Sequence, residues 1–222
     1  MKKPVTYSAS DRNPAQAKAE TMRPDNRLLK AAMAALGLAL LGGSAQATLF
    51  QYDAVLSGPN ESPPNASPGT GLAFVNYDDV AHTLQVEVTF SGLLGTTTAS
   101  HIHAPTLVAG TGTAGVATTT PYFAGFPIGV SSGSYSNTLD LTLASSYNPS
   151  YEAANGGTTA GAEAALVAAI AADKAYFNIH STTFGGGEIR GFLVPIPEPS
   201  SLALLGLGGA ALAWGARRRN AA

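Results

Sequence analysis

Leu84-Gln85-Val86-Glu87-Val88-Thr89-Phe90 alternates apolar and polar side chains without a break. A period of two puts Leu84, Val86, Val88 and Phe90 on one face and Gln85, Glu87 and Thr89 on the other. The pattern predicts a strand with one buried and one wet face, as antiparallel sheets have. Just upstream, Asp78-Asp79 followed by His82 predicts a hairpin turn from a strand over Leu72–Tyr77. His82 itself follows the turn and is expected to be exposed. Further strands are expected at Gln51–Ser57, Tyr176–His180 and Glu188–Val194. Another is expected near Thr138–Thr142, with Leu139, Leu141 and Leu143 inward. Pro59–Gly69, Pro105–Gly115 and Pro121–Gly133 read as loops. One helix fits: Thr158 or Thr159 can cap it, and Glu163 stands early enough to favour its dipole. Leu166, Val167 and Ile170 form its apolar stripe, and it runs to about Lys174.

The chain has 222 residues and no cysteine. Disulfide frameworks, thiolate metal sites and cysteine nucleophiles are therefore excluded. Its 12 bases and 14 acids are unevenly spread. Thr48–Val194 contains only Lys174 and Arg190 against ten acids, a balance of −8. A domain of that sign repels phosphate backbones, so nucleic acid is excluded as a partner.

Both ends read as addresses. Ala31–Gly43 is a short apolar run preceded by Arg23, Arg27 and Lys30 and followed by Ala45-Gln46-Ala47. A basic region, an apolar core and a small-x-small site predict a secretory signal peptide cut after Ala47. Met22 would give that signal an ordinary length and reads as its start. At the other end, eighteen uncharged residues separate Glu198 from Arg217-Arg218-Arg219. As a helix they would span about 27 Å, enough for a thin bilayer. The arginines would stop it on the cytoplasmic side, so the inner membrane is a transient partner. The expected organisation is a leader over residues 1–47, one β domain over 48–194, and a tail over 195–222.

Within the domain, His101-Ile102-His103 is the pointed signal. On a strand both imidazoles share a face, and histidine is the commonest ligand for zinc and copper. Tyr176, Asn178 and His180 share a face of another strand, as do Glu188 and Arg190. These spacings fix faces but not neighbours. His101, His103, His180, Glu188 and Arg190 are thus candidates for either a metal site or a structural polar cluster. In the latter, Arg190 would pair with Glu61 or Glu188. No Gly-x-Ser-x-Gly elbow and no distinctive carboxylate pair is present, so no catalytic residue is assigned. Tyr122, Phe123 and Phe126 either offer an aromatic surface to polysaccharide or cover the core.

Two stretches carry family resemblances. Pro197-Glu198-Pro199, the apolar run after it and Arg217–Arg219 closely resemble the PEP-CTERM sorting signal. That resemblance implies export from a Gram-negative cell and processing by an exosortase-like protease. It also implies delivery to the cell envelope, cell surface or an extracellular, polysaccharide-containing matrix. Exopolysaccharide is then a further candidate partner. Leu56-Ser57-Gly58, Glu61–Pro64, Phe90–Leu93, Ser100–Ala104, Tyr176–Thr182 and Gly187–Gly191 together resemble the CHRD domain. This implies an extracellular all-β domain and places weight on the five candidates without assigning a reaction. The His-x-His strand also resembles, at the level of fold, the copper strand of Cu/Zn superoxide dismutase sandwiches.

The expected fold is therefore an all-β Greek-key sandwich, immunoglobulin- or superoxide-dismutase-like, with one short helix. A signal peptide and a C-terminal transmembrane helix flank it. The expected role is a non-catalytic binding or structural domain at the cell surface. The alternative is a copper- or zinc-binding domain on His101, His103 and His180, redox-active if the metal is copper.

Overall fold

The computed structural model describes residues 49–197. The expected signal peptide with Ala45 and Ala47, and the tail residues Glu198, Pro199 and Arg217–Arg219 with their span, lie outside that range. No helix of the described residues is long and apolar enough to cross a membrane.

The described chain is mostly β. Its strands are β1 (Leu49–Ser57), β2 (Thr70–Asp78), β3 (Thr83–Ser91), β4 (Thr97–His103), β5 (Gly133–Asp140), β6 (Tyr176–Ser181), β7 (Ile189–Phe192) and β8 (Val194–Pro195). They form one antiparallel sheet in the order β4-β6-β7-β1-β2-β3-β5, with β8 continuing β7's place beside β1. This corrects the expected pair of stacked sheets. Period two tells which face a side chain takes, not which strand lies alongside, so it cannot separate a sandwich from a curled single sheet. The curl brings β4 against the loop that leads into β5, the strand at the sheet's other edge. There the Thr97 N–H donates to Val130 O at 2.8 Å and the Gly129 N–H to Thr97 O at 2.9 Å. An antiparallel half-barrel results.

The deciding strand behaves as its alternation predicts. Leu84, Val86, Val88 and Phe90 are at most 4% exposed. They lie opposite Tyr77, Val75, Ala73 and Gly71 of β2, across the hairpin. Burying each such aliphatic or aromatic side chain contributes about 1.5–3 kcal/mol. Phe123 and Phe126 complete the core from a loop, stacked at 5.8 Å on Phe177 and 5.6 Å on Phe90. They are the core-covering aromatics of the two options; of the three, only Tyr122 is exposed.

Two helices close the core. α1 (Pro149–Ala154) was not expected, although Asn148-Pro149 is a start signal: the Asn148 side chain accepts from the Ser150 N–H, and proline takes the first turn. α2 (Thr159–Ala171) is capped by the Thr158 hydroxyl, which accepts from the Gly161 N–H at 3.1 Å, and buries Leu166 and Ile170. Glu163 departs from its expected dipole role. It lies past the first turn, and its carboxylate accepts from Tyr77 Oη at 2.8 Å and faces His82 Nδ1 at 2.9 Å. His82 is exposed, as expected.

Candidate metal centre

Register brings the histidines together. β4 pairs with β6 so that His101 faces Asn178, His103 faces Tyr176 and Ala99 faces His180. β7 extends the row, with Arg190 opposite Asn178 and Phe192 opposite Tyr176. Directly paired residues share a face. Ile102, Phe177, Ile179 and Ile189 therefore fill the core, while His101, His103, Tyr176, Asn178, His180 and Arg190 take the outer face.

Loops cover that face and fix the rings. Residues 114–122 run along the open edge of β4: Ala117 N–H donates to Ile102 O at 2.9 Å and Ser100 N–H to Pro121 O at 3.2 Å. The same loop turns two carbonyls onto the rings. His103 Nδ1 donates to Ala114 O at 2.8 Å and His101 Nδ1 to Pro121 O at 3.1 Å. After β6, Gly185 O accepts from His180 Nδ1 at 2.9 Å. A carbonyl oxygen only accepts, so each Nδ1 carries the ring's proton and each neutral ring directs an Nε2 lone pair the other way.

Two of those lone pairs meet, and the third ring lies beside them. His101 Nε2 and His180 Nε2 stand 3.0 Å apart, and one ligand nitrogen from each of the three rings lies within 4.8 Å of the others. His103 Nε2 is buried without a hydrogen-bond partner. Burial first, then the neighbouring histidines, push His101 down to about 3. Burial pushes His103 down to about 4 against the pull of Ala114 O, and it lowers His180 too. The rings are therefore neutral near pH 7. A pair of neutral Nε2 acceptors at 3.0 Å has no proton to share. A cation between them removes the conflict. Zinc–nitrogen bonds of about 2.0–2.1 Å put tetrahedral ligand atoms about 3.3 Å apart, close to the His101–His180 spacing. The carbonyl brace on each Nδ1 is the outer support that metal-binding imidazoles use.

The other two candidates separate. Arg190 is 4% exposed and joins the outer face. Its guanidinium lies 4.7 Å from the Tyr176 ring, and that ring stacks on His103 at 4.6 Å and 7°. Tyr176 is the residue that spacing had placed beside His180 without a role. Arg190 Nε donates to Asn60 O at 2.5 Å and lies 3.8 Å from Glu61 Oε2, so its carboxylate partner is Glu61. Burial lifts the Glu61 carboxyl to about 7 although Arg190 pulls it down. Arg190 and Glu61 also line a cleft of about 610 Å³ with Asn60 and Phe192. Glu188 turns elsewhere. It precedes β7, is fully buried, and accepts from Ser67 Oγ at 2.6 Å and from the Leu94 and Gly95 N–H groups at 2.5 and 3.2 Å. These bonds hold its carboxyl below the usual range despite burial. Gly187 beside it has φ +130°, and a Cβ there would meet Glu61 and Asn178 side-chain atoms at 2.6–2.8 Å. Only glycine fits.

An antiparallel β domain with an outer-face cluster of three braced histidines is thus the class that fold and site define. Residues 52–193 match the CHRD domain, and residues 195–219 match the PEP-CTERM protein-sorting motif. The chain belongs to the CHRD-domain family. Its sorting motif marks it for export, for processing by an exosortase-type enzyme and for association with the cell envelope. No curated protein and no solved structure matches it.

Proposed function

We propose that this exported domain is a metal-binding module that holds one zinc or copper ion on the Nε2 atoms of His101, His103 and His180. The observation carrying this reading is the orientation of all three rings. Each Nδ1 is tied to a backbone carbonyl, the His101 and His180 Nε2 atoms stand 3.0 Å apart, and one ligand nitrogen from each ring lies within 4.8 Å of the others. Imidazole nitrogen suits both metals. When bound, the ion supplies Lewis acidity or, as copper, one-electron chemistry. The protein's own residues orient the rings and exclude water from two of them. Three protein ligands leave a fourth position for water or a small ligand. Arg190, through Tyr176, braces His103 from behind, whereas Glu188 ties the loops and takes no part. The domain, residues 48–194, binds rather than catalyses in this reading, and it is displayed at the cell surface or in the surrounding matrix.

Metal content and thermal stability of the purified chain test it, beside a variant with all three histidines changed to Ala. Stoichiometric zinc or copper is expected, with a rise in Tm on metal addition that the variant lacks. No metal and no shift would leave a structural cluster in a metal-free display domain.

A further inference from the structure

β8 belongs to two things at once. Val194 and Pro195 pair with Asp53 and Tyr52 of β1, and the Ile196 N–H donates to Gln51 O at 2.8 Å. Yet the sorting-motif match begins at residue 195. No spacer separates sheet from motif. The Ile196 bond makes Gln51–Ile196 a hydrogen-bonded pair, so Tyr52–Pro195 is the intervening non-bonded one. The missing N–H of proline costs nothing there. Recognition of an extended peptide commonly adds it as a strand to the receptor through its backbone groups. The backbone of Val194–Ile196 cannot serve β1 and such an enzyme together.

We propose that β8 must come off β1 before the exosortase-type enzyme can take the tail, so that the folded domain retards its own processing. The proposal rests on the sorting assignment of the tail. Packing favours a short, hinged release. Val194 is 43% exposed, whereas Leu193 before it is fully buried and donates its N–H to Ala175 O at 3.0 Å. Peeling therefore stops at Leu193 and leaves the core closed. Local opening of a short strand at the domain's end costs far less than global unfolding. After the cut, re-annealing of β8 covers the edge of β1 again.

The test pins the strand. Gln51→Cys with Ile196→Cys opposes two thiols at a bonded pair, about 5.5 Å between Cα atoms and within disulfide range. The natural chain has no cysteine to compete. The full chain is produced with an exosortase-type enzyme, and conversion to the shorter mass is followed over time. The oxidised pair is expected to be cut about tenfold more slowly than wild type, as cleavage follows the open population. Reductant should restore the wild-type rate, whereas a misfolded variant would exceed it. Val194→Pro, which removes a β8 N–H, should be cut faster. Equal rates for oxidised and reduced protein would overturn the proposal. An uncut wild-type chain beside a cleaved control substrate would instead overturn the tail assignment beneath it.

Discussion

His101 and His180 face each other nitrogen to nitrogen at 3.0 Å, yet neither has a proton to offer on that side. Burial keeps both rings neutral, and this sets a clear titration order. In the metal-free protein, the His101 and His103 ring protons should titrate far below the ordinary histidine range, near 3 and 4. The His82 ring should titrate above that range because Glu163 holds its charged form. NMR titration of the ring protons reads all of them, and a common midpoint would refute the burial argument. The linkage follows from the signs. Between the ordinary value of about 6.5 and these depressed values the unfolded chain binds more protons. The cluster's contribution to stability is therefore complete above about 6.5 and is lost as pH falls toward 4 and 3. The His82–Glu163 contribution runs the other way, present below 6.5 and lost as pH rises through the raised value. Spacing made the shared face of His101 and His103 legible. It could not reveal Ala114, Pro121 and Gly185, because a backbone carbonyl leaves no mark on residue type.

β7 and the residue before it divide two roles that the sequence joins. Glu188 and Arg190 alternate as same-face neighbours would, but Glu188 sits outside β7 and bends to Ser67 and the Leu94–Gly95 turn. Glu188→Gln removes a charge that accepts those three donors and should destabilise the fold by about 2–3 kcal/mol. Metal binding should survive, since no histidine touches this carboxylate. Denaturant melts and metal titration of the same variant check both halves, and lost binding with unchanged stability would contradict the division. Elements themselves were largely legible: the alternation in β3, the aspartates of its hairpin and the threonine cap of α2 all act locally. Neighbour order was not, because nothing within β4 specifies that β6 lies beside it. Glu163 shows the same limit in a helix, where its partners Tyr77 and His82 arrive from a distant hairpin.

At the scale of the whole molecule, the last core member among the described residues is Leu193, just before the sorting motif begins. Deleting residues 198–222 should therefore leave the domain folded, with an unchanged circular dichroism spectrum and nearly unchanged Tm. Retention at the cell envelope should be lost, and cell fractionation would measure it. A truncated chain that stays at the envelope would place the retention signal in the β domain instead. The two ends of the described chain meet at one corner, where Gln51 of β1 lies against Ile196. His101 belongs to the row running through Asn178 and Arg190 to Ser57. Between Gln51 and Ser57 the strand advances about 20 Å. A holder that grips the described domain beside Gln51 or Ile196 holds it at this one corner and leaves the histidine row about a strand's length away along β1.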